Sequence, residues 1–237
     1  MLRFMFDEEE RAPEGNVMEA CSHMDQFAAM LSKRIREAGD SDNKLRKFEI
    51  WTRGLRSSLM ELEQSHYAAL RFKERIHSSS VRDMSAEERL QYDRYVYFDK
   101  NGFIRVFSLL DKLGTFLNEL LGMRTEKIKP HFSYFTVLRS MRERNAHPDL
   151  TWRLNESKEK HKEATNRLRK RRNTEIHYMN SEMQDDLIQS NRMYGAEIQL
   201  ENLQQQSEDL ACCLNMATES LKLTFQYAVS LARQHHV

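Results

Sequence analysis

The chain has 237 residues, 40% hydrophobic and 31% charged, with a formal net charge of +1. That balance excludes a globally basic nucleic-acid binder, so attraction for phosphate must come from local patches. Seven Gly and three Pro leave little material for tight turns, which favours long helices over a sheet, and no run approaches the roughly 20 apolar residues of a membrane span.

Residues 1–15 read as a flexible tail, with the charge run Asp7-Glu8-Glu9-Glu10 and breakers at Pro13 and Gly15. The remainder, 16–237, reads as one helical domain. A first helix starts at Asn16, with Glu19 three residues on as a capping pair, and stops near Gly39. Over 42–77, Leu45, Phe48, Thr52, Leu55, Leu59, Leu62, His66 and Ala69 recur at alternating spacings of three and four. That is a helix with one buried seam. His66 falls on the seam and reads as a core or boundary histidine with a hydrogen bond rather than a ligand. Ser78-Ser79-Ser80 is a loop, and Ser85-Ala86-Glu87-Glu88 is a capping box. The helix it opens carries Tyr92, Tyr95, Tyr97 and Phe98. Such a cluster can stack on bases, but at helical spacing it reads as core with hydroxyls at the rim. Lys100-Asn101-Gly102 suggests a turn or kink. The apolar positions from Phe103 to Leu121 then mark a central helix that stops at Gly122.

A basic connector leads through Pro130 to a short helix with Phe132, Phe135, Leu138 and Met141 on one face, broken at His147-Pro148. Arg142, Arg144, Asn145 and His147 form a polar cluster that reads as loop decoration. From Asp149 a polar helix runs to Arg172 and beyond. After a break at Asn180-Ser181, the last helix holds Leu200, Leu203, Ser207, Leu210, Leu214, Ala217, Leu221, Thr224, Ala228 and Leu231 in a/d register. Within a chain of other seamed helices, this gives an all-α, up-and-down bundle of long helices. Cys21, Cys212 and Cys213 offer no C-x-x-C or Cys/His ligand spacing, so a reduced, cytoplasmic protein without structural zinc is expected.

The stretch most like a site is Lys158 to Asn180. Between Lys158 and Arg172 it sets eight Lys/Arg against two Glu, and it continues Arg172-Asn173-Thr174-Glu175-Ile176-His177. Arg172 offers a planar, always-charged fork to a phosphate. His177 can take a proton from an RNA 2′-OH or give one to the leaving 5′ oxygen, chemistry that needs no metal or other cofactor. On a straight helix the two lie about 140° apart, so they meet on one phosphate lying across the helix end or on a symmetry mate. The bare spacing R-x4-H occurs at both Arg142 and Arg172, but Asn follows only Arg172. The adjoining Arg169, Lys170 and Arg171 are the expected RNA contacts, because adjacent cations repel one another without a compensating anion.

The run RNTEIH resembles the R-N-x-x-x-H signature of the HEPN superfamily, in a bacterial branch of it. The resemblance implies an all-helical, HEPN-like fold and a metal-independent endoribonuclease. Arg172 would contact the phosphate, Asn173 would be the polar position after it, and His177 the acid/base group. It also implies a homodimer that joins two such sites, RNA as substrate, and an antitoxin or other protein partner of the kind found in toxin–antitoxin and other defence systems. A variant of the signature has a modified Tyr two residues after the His; here that position is Met179, with Tyr178 one residue early. Two other readings stay open. One is a non-catalytic module binding RNA, a nucleotide or a protein, as in inactive HEPN members. The other is a structural helical protein in which Arg172 pairs with Glu175 or another carboxylate.

Overall fold

The spacing of three and four along the apolar seams is realised as α-helix, though Phe132 lies before the short helix it was placed on, and no strand occurs among the described residues. A computed structural model describes residues 2–192 and 199–234. The helices are α1 (Gly15–Ala38), α2 (Lys44–Lys73), α3 (Ala86–Leu120), α4 (Tyr134–Glu143), α5 (Pro148–Lys160), α6 (Lys162–His177), α7 (Ser181–Arg192) and α8 (Leu203–Arg233). None of the described helices is long and apolar enough to cross a membrane.

The chain divides into two compact units. One comprises the N-terminal segment to Glu10, Leu62–Arg105 and His161–Leu214; the other comprises Arg11–Glu61, Val106–Lys160 and the segment from Asn215. Helices α2, α3 and α8 contribute residues to both. In the first unit Phe6, Ala68, Ala69, Phe72, Tyr92, Tyr95 and Leu203 form a core. Phe6 belongs to a short 3-10 helix, Arg3–Phe6, within the stretch assigned to a tail. Glu8, from the same stretch, accepts from Tyr67 Oη at 2.5 Å and pairs with Arg71 at 2.9 Å. An aromatic cluster of Phe27, Phe48, Phe116 and Phe225 centres the second unit, the Phe116 and Phe225 rings 4.9 Å apart. The a/d residues of α8 from Leu203 to Ala228 are buried, as the seam requires, whereas Leu231 is half-buried and Leu200 lies before the helix begins.

Three local expectations change. Lys100-Asn101-Gly102 is neither turn nor kink: α3 continues through it. Gly102 instead lets another helix approach, since a Cβ there would lie 2.8 Å from Leu210 Cδ2. The polar helix from Asp149 is interrupted at His161, a buried residue whose carbonyl takes both the N–H and the hydroxyl of Thr165. Half of the capping box at Ser85 forms: Ser85 Oγ accepts from Glu88 N at 3.1 Å. The Glu88 carboxylate turns away to receive the N–H groups of His77 and Ser78 at 2.6 and 2.7 Å.

Candidate functional site on helix α6

Helix α6 lies in the first unit and carries every residue singled out for chemistry. Its buried seam is Ala164, Thr165 and Leu168. Continuing that seam at helical spacing brings Arg171 and Glu175 inward. The opposite side is Asn166, Lys170, Asn173 and His177, at spacings of four, three and four, which stack side chains into one strip. Asn166, Lys170 and His177 are exposed and Asn173 is half-buried. Arg172 and Arg169 are half-buried and stand on the flank between seam and strip. Arg172 and His177 therefore do not share a face.

The basic run splits by helix phase. Arg167 grips Asp209 with both prongs of its fork, Nε to Oδ2 at 2.9 Å and Nη2 to Oδ1 at 2.7 Å. One turn on, Arg171 donates to Asp99 and, at 3.1 Å, to Gln206 Oε1, with its guanidinium 5.1 Å from the Phe103 ring centre. Asp99 is 1% exposed. Burial pushes its carboxyl above the usual range, and the Arg171 charge pulls it back. Of the three cations expected to meet RNA, Arg171 is thus committed to a buried carboxylate, whereas Lys170 extends into solvent on the strip.

His177 ends α6 at a braced corner. The N–H groups of Tyr178 and Met179 both reach back to Thr174 O, at 3.0 and 3.1 Å. Glu175 accepts from Ser181 N at 2.9 Å, which caps the start of α7, and pairs with Lys100 at 3.0 Å. Lys100 also pairs with Glu182 at 2.8 Å. One lysine of α3 thereby ties the last turn of α6 to the first turn of α7. Glu175 serves this corner in the bonds it makes. The chain neighbours of His177 are exposed apolar side chains, Ile176 at 49% and Tyr178 at 81%.

Other candidates have structural partners. Tyr92 and Tyr95 are buried, with hydroxyls donating to Glu201 at 3.0 Å and Gln206 at 3.1 Å, as the core reading expected, but Tyr97, read with them as core, is 63% exposed. In the second unit, Arg144 donates to Met123 O at 2.6 Å and His147 Nδ1 lies 2.7 Å from Tyr227 Oη. The cysteines are all free thiols, and burial lifts the Cys213 thiol to about 12. Sequence reasoning missed Asn166 as a strip member and Lys100 as the brace. The 4-3-4 spacing holds the signal for the first; nothing local to Lys100 holds the second.

No curated protein and no solved structure matches the chain. A family model does, that of the Cthe2314-like HEPN domains, over residues 51–229. The matched range holds all of α6 and the corner after it, together with α3, α7 and nearly all of α8. With well over half its length inside the match, the chain belongs to the Cthe2314-like HEPN family.

Proposed function

We propose that the chain is an endoribonuclease whose active centre is assembled from two copies. The observation that carries this reading is the strip itself: an exposed imidazole at the end of α6, in line with Lys170 and Asn173. An RNA phosphate along the strip meets the Lys170 ammonium and the Asn173 amide, and its ribose 2′-OH comes within reach of His177. The 2′ oxygen attacks the adjacent phosphorus, the P–O5′ bond breaks, and the products are a 2′,3′-cyclic phosphate and a 5′-OH. Two proton transfers are needed, one from the 2′-OH and one to the leaving oxygen. A single imidazole offers one of them at a time. A second copy related by a two-fold axis supplies the other, and brings an Arg172 to bear on charge developing at the phosphate. The exposed apolar side chains beside His177 suit the contact between copies.

The test is cleavage of a mixed-sequence fluorescent RNA in EDTA by wild type, Arg172→Ala and His177→Ala, with the oligomeric state of each recorded. Loss of cleavage in both variants of an intact dimer, with cyclic-phosphate ends from wild type, is the expected result. For His177→Ala a loss of about 10²–10⁴ is expected, the scale of removing an acid/base group. Wild-type dimer that cuts none of several RNAs defeats the proposal. A second reading, a non-catalytic RNA-binding module, is favoured by the angular separation of Arg172 from His177. It calls for affinity that falls steeply with salt and survives His177→Ala.

A further inference from the structure

Beside the strip, the first unit has a cavity of about 320 Å³ bounded by α6, α7 and the start of α8. That is the low end of the range for small-ligand sites, suited to one base or nucleoside. Lys170 belongs to its lining and also to the strip, so a phosphate on the strip and a base in the cavity converge on one residue.

The lining is polar in a particular way. The Gln184 side chain has no hydrogen-bond partner among the described residues. Gln206 uses its carbonyl oxygen for Tyr95 and Arg171, at 3.1 Å each, which leaves its amide nitrogen as a donor. Asp185 receives Gln189 at 2.9 Å on one oxygen and keeps the other as an acceptor. Glu201 contributes a carboxyl that takes the Tyr92 hydroxyl, and burial raises its affinity for protons. Ile188, 36% exposed, supplies an apolar surface. Arg167, Arg171 and Asp209 line the cavity too, but Arg167 is held by Asp209 and Arg171 by Asp99; the amides and the carboxyls of Asp185 and Glu201 that are left suit the neutral part of a nucleotide.

We infer that this cavity is the base subsite for the nucleotide whose phosphate lies on the α6 strip, and that it selects bases with an exocyclic amino group over uracil. The inference rests on the RNA reading above. An amino group on adenine or cytosine donates to the acceptor oxygens of Asp185 and Glu201, while the amides of Gln184 and Gln206 serve the adjoining ring nitrogen. Amide and carboxylate side chains make these pairings with A and C in the major groove too. Uracil presents carbonyl oxygens in place of the amino group, and these face the carboxylates unfavourably.

The experiment measures binding without cleavage, using fluorescein-labelled 2′-O-methyl pentanucleotides of A, C and U on the full-length wild-type chain at fixed salt. The blocked 2′ oxygen cannot attack. The expected result is roughly ten-fold tighter binding of the A and C oligomers than of the U oligomer, the scale of one bidentate base contact. Gln184→Leu should bring the ratio close to one. Asp185→Asn, which keeps the shape and offers an amide N–H, should narrow it by tightening the U oligomer. Equal binding of all three by wild type, or a preference that both variants retain, overturns the base subsite while leaving the RNA reading standing. No binding of any oligomer at low salt overturns the RNA reading, and the subsite with it.

Discussion

Arg171 stands between Lys170 and Arg172 in the sequence, and its role differs from both. Its partner Asp99 is nearly fully buried, and removing one member of a buried pair leaves an uncompensated charge. Arg171→Met is expected to lower unfolding free energy by about 3–5 kcal/mol. Lys170→Met, on an exposed strip, is expected to change it by less than about 0.5 kcal/mol. Urea unfolding of the two variants compares them directly, and adding Asp99→Leu to Arg171→Met should restore much of the loss, because the orphaned carboxylate goes with it. Equal stability of the two single variants would remove the distinction drawn between these cations. Composition alone cannot make that distinction, since four consecutive cations look alike. Helix phase makes it: Ala164 and Leu168 already mark the inward side, and a step of three from Leu168 lands on Arg171. The acceptor, Asp99, lies 72 positions away and is invisible to any local reading.

At the scale of elements, glycines show where sequence reading stops. Gly54 and Gly114 both fall inside helices by periodicity, and both do lie in helices, α2 and α3. A Cβ at Gly114 would stand 2.7 Å from Tyr134 Cα, whereas at Gly54 it meets no atom within 4 Å. Gly114→Ala must push α4 backbone aside, an overpacking that costs about 1–3 kcal/mol. Gly54→Ala adds no clash and gains about 0.5–1 kcal/mol from helix propensity and a less disordered unfolded chain. Thermal unfolding should therefore move in opposite directions for the two substitutions; a shared sign would show that backbone approach at Tyr134 does not decide the matter. Seams, loops and stops were legible because each is written within a few residues. The interruption at His161, the continuity of α3 through Gly102 and the bracing of the α6–α7 corner by Lys100 depend on partners distant in sequence. The same holds for the site. The exposed imidazole and its motif were readable, while the split of the basic run and the cavity beside it required α3, α7 and α8 to be in place.

For the whole molecule, near-neutral net charge means that overall self-repulsion contributes little at pH 7, so acid stability is set by particular groups. His66 lies on the α2 seam, and its Nε2 is buried without a hydrogen-bond partner, which departs from the bonded histidine read there. Burial alone drives its pKa from the ordinary 6.5 down to about 4. The folded chain therefore favours neutral imidazole, and the unfolded chain binds the proton first. Stability from this group is fully present above about pH 6.5 and declines as pH falls towards 4, by a total on the order of 3 kcal/mol. Carboxylates held low in the folded state act at lower pH. Glu49, for example, receives a hydrogen bond from Ser32 and the charges of Arg46 and Arg53, and lies below its ordinary 4.5. Its stabilising share persists down to about pH 4.5, through most of the histidine window, and is lost as pH falls further. Urea midpoints measured from pH 8 to pH 3 should then show two successive declines. In His66→Gln the first should vanish while the second remains, since glutamine keeps a polar side chain on the seam but binds no proton. A wild-type profile flat between pH 6.5 and 4, or a first decline that persists in His66→Gln, would mean that a charged His66 finds solvent without unfolding the helix that carries it.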